Sequence, residues 1–177
     1  MASLEHLETL LADQRGRPPI EKWHPEFSGD IDIVIRRDGS WWHEGGEIRR
    51  FELVKLFASI LRRESDGEYY LVTPVEKWRI TVEDLPLSIV DVECASDHSR
   101  IAVKTNVEEW LELGASHPLT VHYQPGSDEP QPSVRVRHGV DARVNRSCFY
   151  RMVEMGEQEQ DQLILTAGGE TFVLGPI

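Results

Sequence analysis

Two groups of basic and amide side chains offer the clearest chemistry in this chain of 177 residues. One group follows a predicted helix and the other opens a second predicted helix, with hydroxyl and amide side chains at a nearby strand end. Guanidinium groups can fork onto phosphate or carboxylate oxygens, and the free N–H groups of a helix start attract anions. If both groups line one cleft, they form a site for a nucleotide-like or phosphorylated small molecule. The residues of this candidate site are Arg62, Arg63, Lys77, Thr105, Asn106, Arg143, Asn145 and Arg146.

The same side chains also fit a solvated surface with ordinary ion pairs to Glu76, Asp141 or Glu154, since most surface ion pairs add little. Two function classes therefore stay open. The first is a small-ligand-binding module with a signalling or regulatory role. The second is a protein-interaction adaptor with no small-molecule ligand, which needs an exposed apolar patch or a strand edge.

The sequence contains no complete catalytic or metal-binding motif. The segment His43–Glu47 resembles a zinc motif, but it ends in Glu rather than His, and its two glycines oppose the helical face that the motif requires. Ser116 lacks the glycines of a nucleophile elbow, and there is no phosphate loop or dinucleotide fingerprint. We expect no catalytic residue, no metal and no cofactor. The sequence favours a binding protein over an enzyme.

Charge and composition narrow the partners further. The net charge of −12 repels phosphate backbones and anionic lipids, so we expect neither nucleic acid nor a membrane as a partner. No apolar run approaches the roughly 20 residues that span a bilayer. Cys94 and Cys148 stand far apart, which predicts two reduced, largely buried thiols in a cytoplasmic protein.

The elements that must position the candidate site begin in the stretch Asp38–Trp78. Alternating isoleucines before it predict a strand, and Asp38-Gly39 predicts a hairpin turn into a second strand at Trp41-Trp42. Apolar residues at helical spacing then predict a helix over 47–63, with Arg62 and Arg63 in its last turn. A strand over 69–73 follows.

A second copy of this order is predicted near the C-terminus. Strands around Val134–Val136 and Ala142–Val144 lead to Asn145, which would cap a second helix, and further strands follow at Leu163–Thr166 and Thr171–Leu174. In this alignment Arg50 matches Arg146 and Leu53 matches Phe149. Between the copies we predict strands over 85–92, 100–104 and 119–123, and a short helical turn capped by Asn106.

The sequence thus predicts an α+β fold of two subdomains from an internal duplication. An N-terminal helix and linker occupy 1–22, the first subdomain 23–84 and the second 85–177. The predicted core consists of Leu53, Phe57, Ile60, Leu71, Phe149 and Val153.

Four segments carry a resemblance to a bacterial family known as DUF1285: DGSWWHEGGEIRRFELVKLFASILRRE, YYLVTPVEKWRITVED, KTNVEEWLELGASHPL and VRHGVDARVNRSCFYRMVE. The resemblance implies a duplicated α+β core whose second subdomain is loosely similar to pleckstrin-homology-like folds. It also implies a nucleotide-type ligand at the subdomain interface and a role in signalling. The chain departs from the family pattern at Arg49, where glycine is usual, and at Glu108, where a negative charge replaces another glycine.

Overall fold

The computed structural model describes residues 18–177, which form two compact units divided between Asp84 and Leu85. The helix predicted at the N-terminus lies outside the described residues. Within them, no helix is both long and apolar enough to cross a membrane.

A six-stranded mixed sheet forms unit 1, in the order β3-β2-β1-β6-β5-β4. The central pair, β1 and β6, is parallel, and the other neighbours are antiparallel. Ile33 and Ile35 of β1 are fully buried, as the alternation predicts. The strands are β1 (Gly29–Ile35), β2 (Trp41–His43), β3 (Gly46–Glu47), β4 (Leu61–Arg63), β5 (Tyr69–Val72) and β6 (Lys77–Val82).

The hairpin between β1 and β2 is built as the Asp-Gly pair indicates. Gly39 has φ 90°, a left-handed value that glycine adopts without strain. Its N–H donates to the carbonyl of Arg36 over 2.9 Å, and the Asp38 carboxylate accepts from the N–H of Ser40. The turn therefore fixes the register that places Trp41 opposite Ile35.

Helix α1 (Phe51–Ser59) is shorter than the predicted span of 47–63. Glu47 belongs to β3, and Leu61, Arg62 and Arg63 form β4, which pairs with β5 at the sheet edge. The apolar residues at the end of the predicted helix fit a strand equally well, and pairing with β5 satisfies their backbone groups. Arg62 and Arg63 are strand residues, so their predicted place in the last helical turn is wrong.

Unit 2 contains a second six-stranded sheet, in the order β10-β11-β12-β7-β8-β9, and a three-stranded sheet, β13-β14-β15. The central pair is again parallel, here β12 with β7. Helix α2 (Arg146–Met155) packs against β7 and β14. The strands are β7 (Leu87–Cys94), β8 (Ile101–Thr105), β9 (Trp110–Glu112), β10 (Leu119–Tyr123), β11 (Pro130–Arg137), β12 (Val140–Val144), β13 (Glu157–Glu159), β14 (Gln162–Ala167) and β15 (Glu170–Pro176).

The helical turn predicted after Asn106 is instead a tight hairpin between β8 and β9. The N–H of Thr105 donates to the carbonyl of Glu109 over 2.8 Å, and Trp110 pairs with Lys104. Glu108 takes φ 65°, the left-handed value of a turn residue, which a capping box does not need. The capping pattern and the turn share the same polar residues, and strand pairing selects the turn.

The duplication is present as an element order, because each unit contains a hairpin, a helix and a three-stranded meander in succession. The helix caps are Arg50 and Asn145, so the two helices align one residue away from the predicted register, and Phe57 answers Met152. Sheet pairing differs between the copies. In unit 1 the last meander strand, β6, pairs with β1 of the hairpin. In unit 2 the meander strands β13, β14 and β15 form a sheet of their own.

The core predictions hold at five of the six positions. Leu53, Phe57, Ile60, Leu71 and Phe149 are buried, whereas Val153 is only half-buried, so its predicted full burial is wrong. The one-residue shift in helix register explains this, since Met152 takes the inward position. The likeness of the second unit to pleckstrin-homology-like folds stays a prediction.

Candidate functional site

In unit 1, two of the predicted site cations converge on a single carboxylate. Arg62 Nη2 lies 2.7 Å from one oxygen of Glu64, and Lys77 Nζ lies 2.6 Å from the other. Arg62 and Glu64 are two residues apart in an extended chain, so their side chains share a face of the sheet. The three side chains are only 17–24% exposed, so Glu64 pairs with both cations in a partly desolvated place, and the triad keeps one positive charge in excess.

Arg62 has a second set of partners in the segment that precedes β1. Its Nη1 donates to the carbonyl of Ile20 over 3.1 Å and to that of Trp23 over 2.7 Å. These bonds anchor the 3-10 helix Ile20–Lys22 and the residue that caps it. Arg62 therefore holds this segment to the β4 edge of the sheet.

Glu64 is held ionised by its neighbours. Burial raises the pKa of its carboxyl, but the hydrogen bonds and the charges of Lys77 and Arg62 together outweigh burial, so the pKa lies below the ordinary value of 4.5. Near neutral pH the cluster is therefore an ion triad of one carboxylate and two cations.

Tyr70 lies beside the triad and is buried, and its hydroxyl donates a hydrogen bond to Asp66 over 2.5 Å. This hydrogen bond, with burial, raises the pKa of Tyr70 to about 12 and lowers that of Asp66. Lys77 Nζ lies 4.9 Å from the centre of the Tyr70 ring, within the range of a cation–π contact. The tyrosine is therefore a hydrogen-bond donor at any physiological pH.

Arg63 points away from this cluster because successive strand residues face opposite sides of a sheet. Its guanidinium lies 5.7 Å from the centre of the Tyr69 ring, and its Nε donates to the carbonyl of Gly67 over 3.4 Å. The strand thus separates Arg62 from Arg63, which the sequence analysis grouped together.

In unit 2, Thr105 is fully buried and serves the turn that follows it. Its hydroxyl oxygen accepts from the N–H of Glu109 over 3.1 Å. A hydroxyl in this position stabilises the hairpin and is not exposed to a ligand from solvent.

Asn106 and Arg143 lie in one row across the face of the six-stranded sheet that is opposite the core. Asn106 Oδ1 accepts from the N–H of Ser88 over 3.1 Å, and Ser88 pairs in register with Arg143, which pairs with Ser133. The neighbouring row, which contains Leu87 and is buried, faces the core. We call Asn106, Ser88, Arg143 and Ser133 the polar row.

Arg143 is half-buried, and its guanidinium contacts the backbone. Its Nη1 donates to the carbonyl of Pro132 over 3.2 Å. This carbonyl contact helps to direct the planar fork of the guanidinium.

Asn145 caps α2 as the sequence predicts, and its Oδ1 accepts from the N–H of Cys148 over 2.8 Å. The backbone N–H of Asn145 donates to the carbonyl of Ile89, so the helix start is tied to β7 beside the polar row. Arg146 is 74% exposed and lies 3.5 Å from the carboxylate of Glu129, which is 71% exposed. An ion pair this open to solvent is weak.

The predicted site residues thus fall into separate settings. Three lie in unit 1, where Arg62 and Lys77 meet around Glu64, and five lie in unit 2, where Asn106 and Arg143 share the polar row. Sequence reasoning missed Glu64 and Ser88, which join these pairs. Only the strand register shows the role of Ser88, since it places this residue between two residues that are 37 positions apart in the sequence.

Two recesses of the described surface contain none of the predicted site residues. One, of about 400 Å³, lies in unit 1 between Asp30, Asp32, Glu68 and Arg79. Another, of about 250 Å³, lies in unit 2 around Cys94 and Arg100. Over residues 18–177, no three His, Cys, Asp or Glu side chains are grouped closely enough to hold a metal ion.

Comparison with solved structures gives two relatives. A DUF1285 family protein from Silicibacter pomeroyi DSS-3 is 37% identical over 100% of this chain and 97% of its own, with a TM-score of 0.92. A DUF1285 family protein from Shewanella baltica OS155 is 34% identical over 69% of this chain and 90% of its own, with a TM-score of 0.54. The search of curated proteins found no match.

Family profiles agree with both structures. The N-terminal domain of the DUF1285 domain of unknown function matches residues 18–85, and the C-terminal domain of the DUF1285 protein of unknown function matches residues 86–174. The boundary between the two profiles coincides with the division between the two units to within one residue. The chain therefore belongs to the DUF1285 family and contains both of its domains.

Proposed function

We propose that this protein is a non-catalytic module that binds a small anionic ligand, nucleotide-like or phosphorylated, in a signalling or regulatory role. The polar row of unit 2, with Arg143 in its middle, carries the proposal. It combines a directed guanidinium with amide and hydroxyl groups along one line, at the spacing of neighbouring strands.

Each member of the row contributes a different kind of contact. Arg143 supplies charge and a planar fork that fits phosphate or carboxylate oxygens, and its partial burial strengthens the attraction. Asn106 binds the backbone through Oδ1, which leaves its Nδ2 amide as a donor. Ser88 and Ser133 add hydroxyl groups on either side of the arginine.

Arg146, the first residue of α2, adds a second cation three positions after Arg143. Its contact with Glu129 is long and exposed, so a ligand anion can replace that carboxylate at little cost. Against a net charge of −12, this local positive charge favours small anions, while the surrounding acid turns away nucleic acid.

The cations of unit 1 are less suited to the role. Glu64 pairs with Arg62 and Lys77 at distances of 2.6–2.7 Å, and a ligand would have to displace a carboxylate that is built into the chain. Displacement leaves that carboxylate partly buried without a partner, which is costly. The proposal therefore rests on unit 2.

The test is calorimetric titration of the protein with ATP, ADP and inorganic phosphate at low and at high salt. We expect binding that weakens as salt rises, because exposed charges are screened. Arg143→Ala and Arg146→Ala should each weaken binding by about tenfold, the equivalent of one charged hydrogen bond. Arg37→Ala is the matched control, since Arg37 is 75% exposed and lies in unit 1.

An adaptor is the second candidate, and a different observation favours it. Val90, Trp110 and Tyr150 of unit 2 are 43–58% exposed, and Lys104 Nζ lies 5.9 Å from the centre of the Trp110 ring. Exposed aromatic groups with cations beside them are common in protein interfaces. If the wild-type protein binds no anion at low salt, the ligand proposal fails and the adaptor takes its place.

A further inference from the structure

A thiol and an imidazole meet at the end of the β7–β8 hairpin in unit 2. Cys94 Sγ lies 3.4 Å from His98 Nδ1, within the range of a hydrogen bond to sulfur. Cys94 is partly exposed, so its predicted burial is wrong, whereas Cys148 is 1% exposed and has no such neighbour among its described contacts. A cysteine beside a histidine is the usual arrangement of an activated thiol nucleophile.

The hairpin loop holds the imidazole in this position. His98 has φ 60°, an unusual value for a histidine, and its N–H donates to the carbonyl of Ala95 over 2.9 Å. The carboxylate of Asp97 accepts from both the N–H and the hydroxyl of Ser99, which fixes the next residue. The loop backbone thus directs the ring back over Cys94.

The thiol opens into the recess of about 250 Å³ described above, which is large enough for a small organic molecule. Charged groups on its wall are the carboxylates of Glu93 and Glu112 and the guanidinium of Arg100. Arg100 binds Glu112 through two hydrogen bonds of 2.7 and 2.9 Å. The wall therefore carries one negative charge in excess, and it favours a cationic molecule.

We propose that Cys94, activated by His98, is a thiol-exchange site that forms mixed disulfides with small disulfides and prefers cationic ones. The Sγ proton passes to Nδ1 of His98, and the thiolate attacks one sulfur of the incoming disulfide. A bond forms between Sγ and that sulfur as the original S–S bond breaks, and the departing thiolate takes the proton from His98. The disulfide is itself the oxidant, so the step balances.

Asp97 directly precedes His98 in the loop, and the hydrogen bonds from the side chain and the backbone of Ser99 keep the pKa of Asp97 below its usual range. An ionised carboxylate therefore stands one residue from the imidazole that accepts the thiol proton.

The test measures the rate at which the native protein reacts with cystamine, a cationic disulfide, at pH 7. N-acetylcysteine is the reference for a fully exposed thiol, and mass spectrometry of peptides locates the modified residue. The variants are Cys94→Ser, His98→Gln and, as a matched histidine control, His122→Gln, since His122 is exposed on β10. Circular dichroism checks that each variant is folded.

We expect modification at Cys94 at a higher rate than that of N-acetylcysteine, because His98 Nδ1 lies 3.4 Å from the sulfur and can take the thiol proton as the attack occurs. His98→Gln should remove the gain, His122→Gln should keep it, and Cys94→Ser should not react. A Cys94 that reacts no faster than N-acetylcysteine, or a His98→Gln variant as fast as the wild type, overturns the proposal.

The charge preference has its own comparison. For each disulfide, the rate of reaction with the protein is divided by its rate of reaction with N-acetylcysteine. This ratio should be higher for cystamine than for oxidised glutathione, which is anionic. Glu93→Gln should reduce that difference, because it removes the excess negative charge of the recess wall. If oxidised glutathione is the faster reagent, the assignment of a cationic disulfide is wrong.

Discussion

Glu64→Gln is the substitution that most directly tests the ion triad of unit 1. Glutamine keeps the size of the side chain and one acceptor oxygen, but it leaves Arg62 and Lys77 without a counter-charge. Those side chains are 17% and 18% exposed, so their charges are only partly solvated. Loss of one partner costs about 3–5 kcal/mol for buried ion pairs and about 0–1 for exposed ones, so we expect an intermediate loss of about 2–3 kcal/mol.

The assay is urea unfolding followed by tryptophan fluorescence, since unit 1 contains Trp41 and Trp78 in its core. Asp30→Asn is the matched control, because Asp30 binds Arg79 on the same sheet through two hydrogen bonds but is 66% exposed. We expect the control to lose less stability than Glu64→Gln, because water already solvates its ion pair.

The stability difference between the wild type and Glu64→Gln should also depend on pH. The pKa of Glu64 is lower in the folded protein than its ordinary value of 4.5, so the folded state holds the ionised form more tightly. The contribution is therefore complete above the ordinary pKa and is lost as the pH falls through the folded-state pKa. Unfolding measured between pH 7 and pH 3 should show a constant difference near neutrality and a shrinking one in acid.

Two results would refute this reasoning. If Glu64→Gln loses no more stability than Asp30→Asn, the triad is an ordinary surface pair and burial of its charges has been overestimated. If the difference stays constant down to pH 3, Glu64 is not the group whose ionisation stabilises unit 1. A double-mutant cycle with Lys77→Met separates these cases, because it isolates the energy of the Glu64–Lys77 pair.

Two further substitutions test unit 2 by thermal and urea unfolding. Asn145→Ala should cost about 1 kcal/mol through loss of the helix cap on the Cys148 N–H, whereas Asn145→Asp, which can cap equally well, should cost little. An equal loss in both variants would contradict the cap. Gly168→Ala should cost about 3 kcal/mol or more, because the added Cβ would lie 2.5 Å from the carbonyl oxygen of Leu113 at φ 60°. Gly169→Ala, with φ 78° and open space, should cost only about 1 kcal/mol from the left-handed backbone, and equal losses would rule out the steric contact.

Local patterns predicted those parts of the fold that depend on local chemistry. The isoleucine alternation of β1, the Asp-Gly turn and the Asn145 cap each follow from a few adjacent residues, and each is present. The α+β class and the repeated element order follow from the sum of such signals. The pairing of strands across the sheets does not follow from local signals. In unit 2 the meander and the hairpin lie in different sheets, and no pattern in the adjacent residues indicates this.

The two regions predicted wrongly show the same limit. Apolar residues over 60–61 extend the helical spacing of α1, and Asn106 with Glu109 resembles a capping box, yet both segments are paired in strands or turns. In each case the neighbouring strand of a hairpin supplies the backbone partners, and that gain exceeds the helical preference of the segment. Local preferences of a few tenths of a kcal/mol per residue cannot resist a complete set of ladder bonds.

The candidate site depends on this distinction more than the fold does. When the segment 61–63 is a helix end, Arg62 and Arg63 both reach solvent and form one cationic patch. When it is a strand, Arg62 turns towards Glu64 and Lys77 while Arg63 turns to the opposite side, and the patch is divided. Register creates the polar row in the same way, because only the alignment of β7 with β12 places Ser88 beside Arg143. Strand pairing therefore decides which of these cations meet a carboxylate and which lie on the other face of the sheet, and the residue types alone leave both arrangements open.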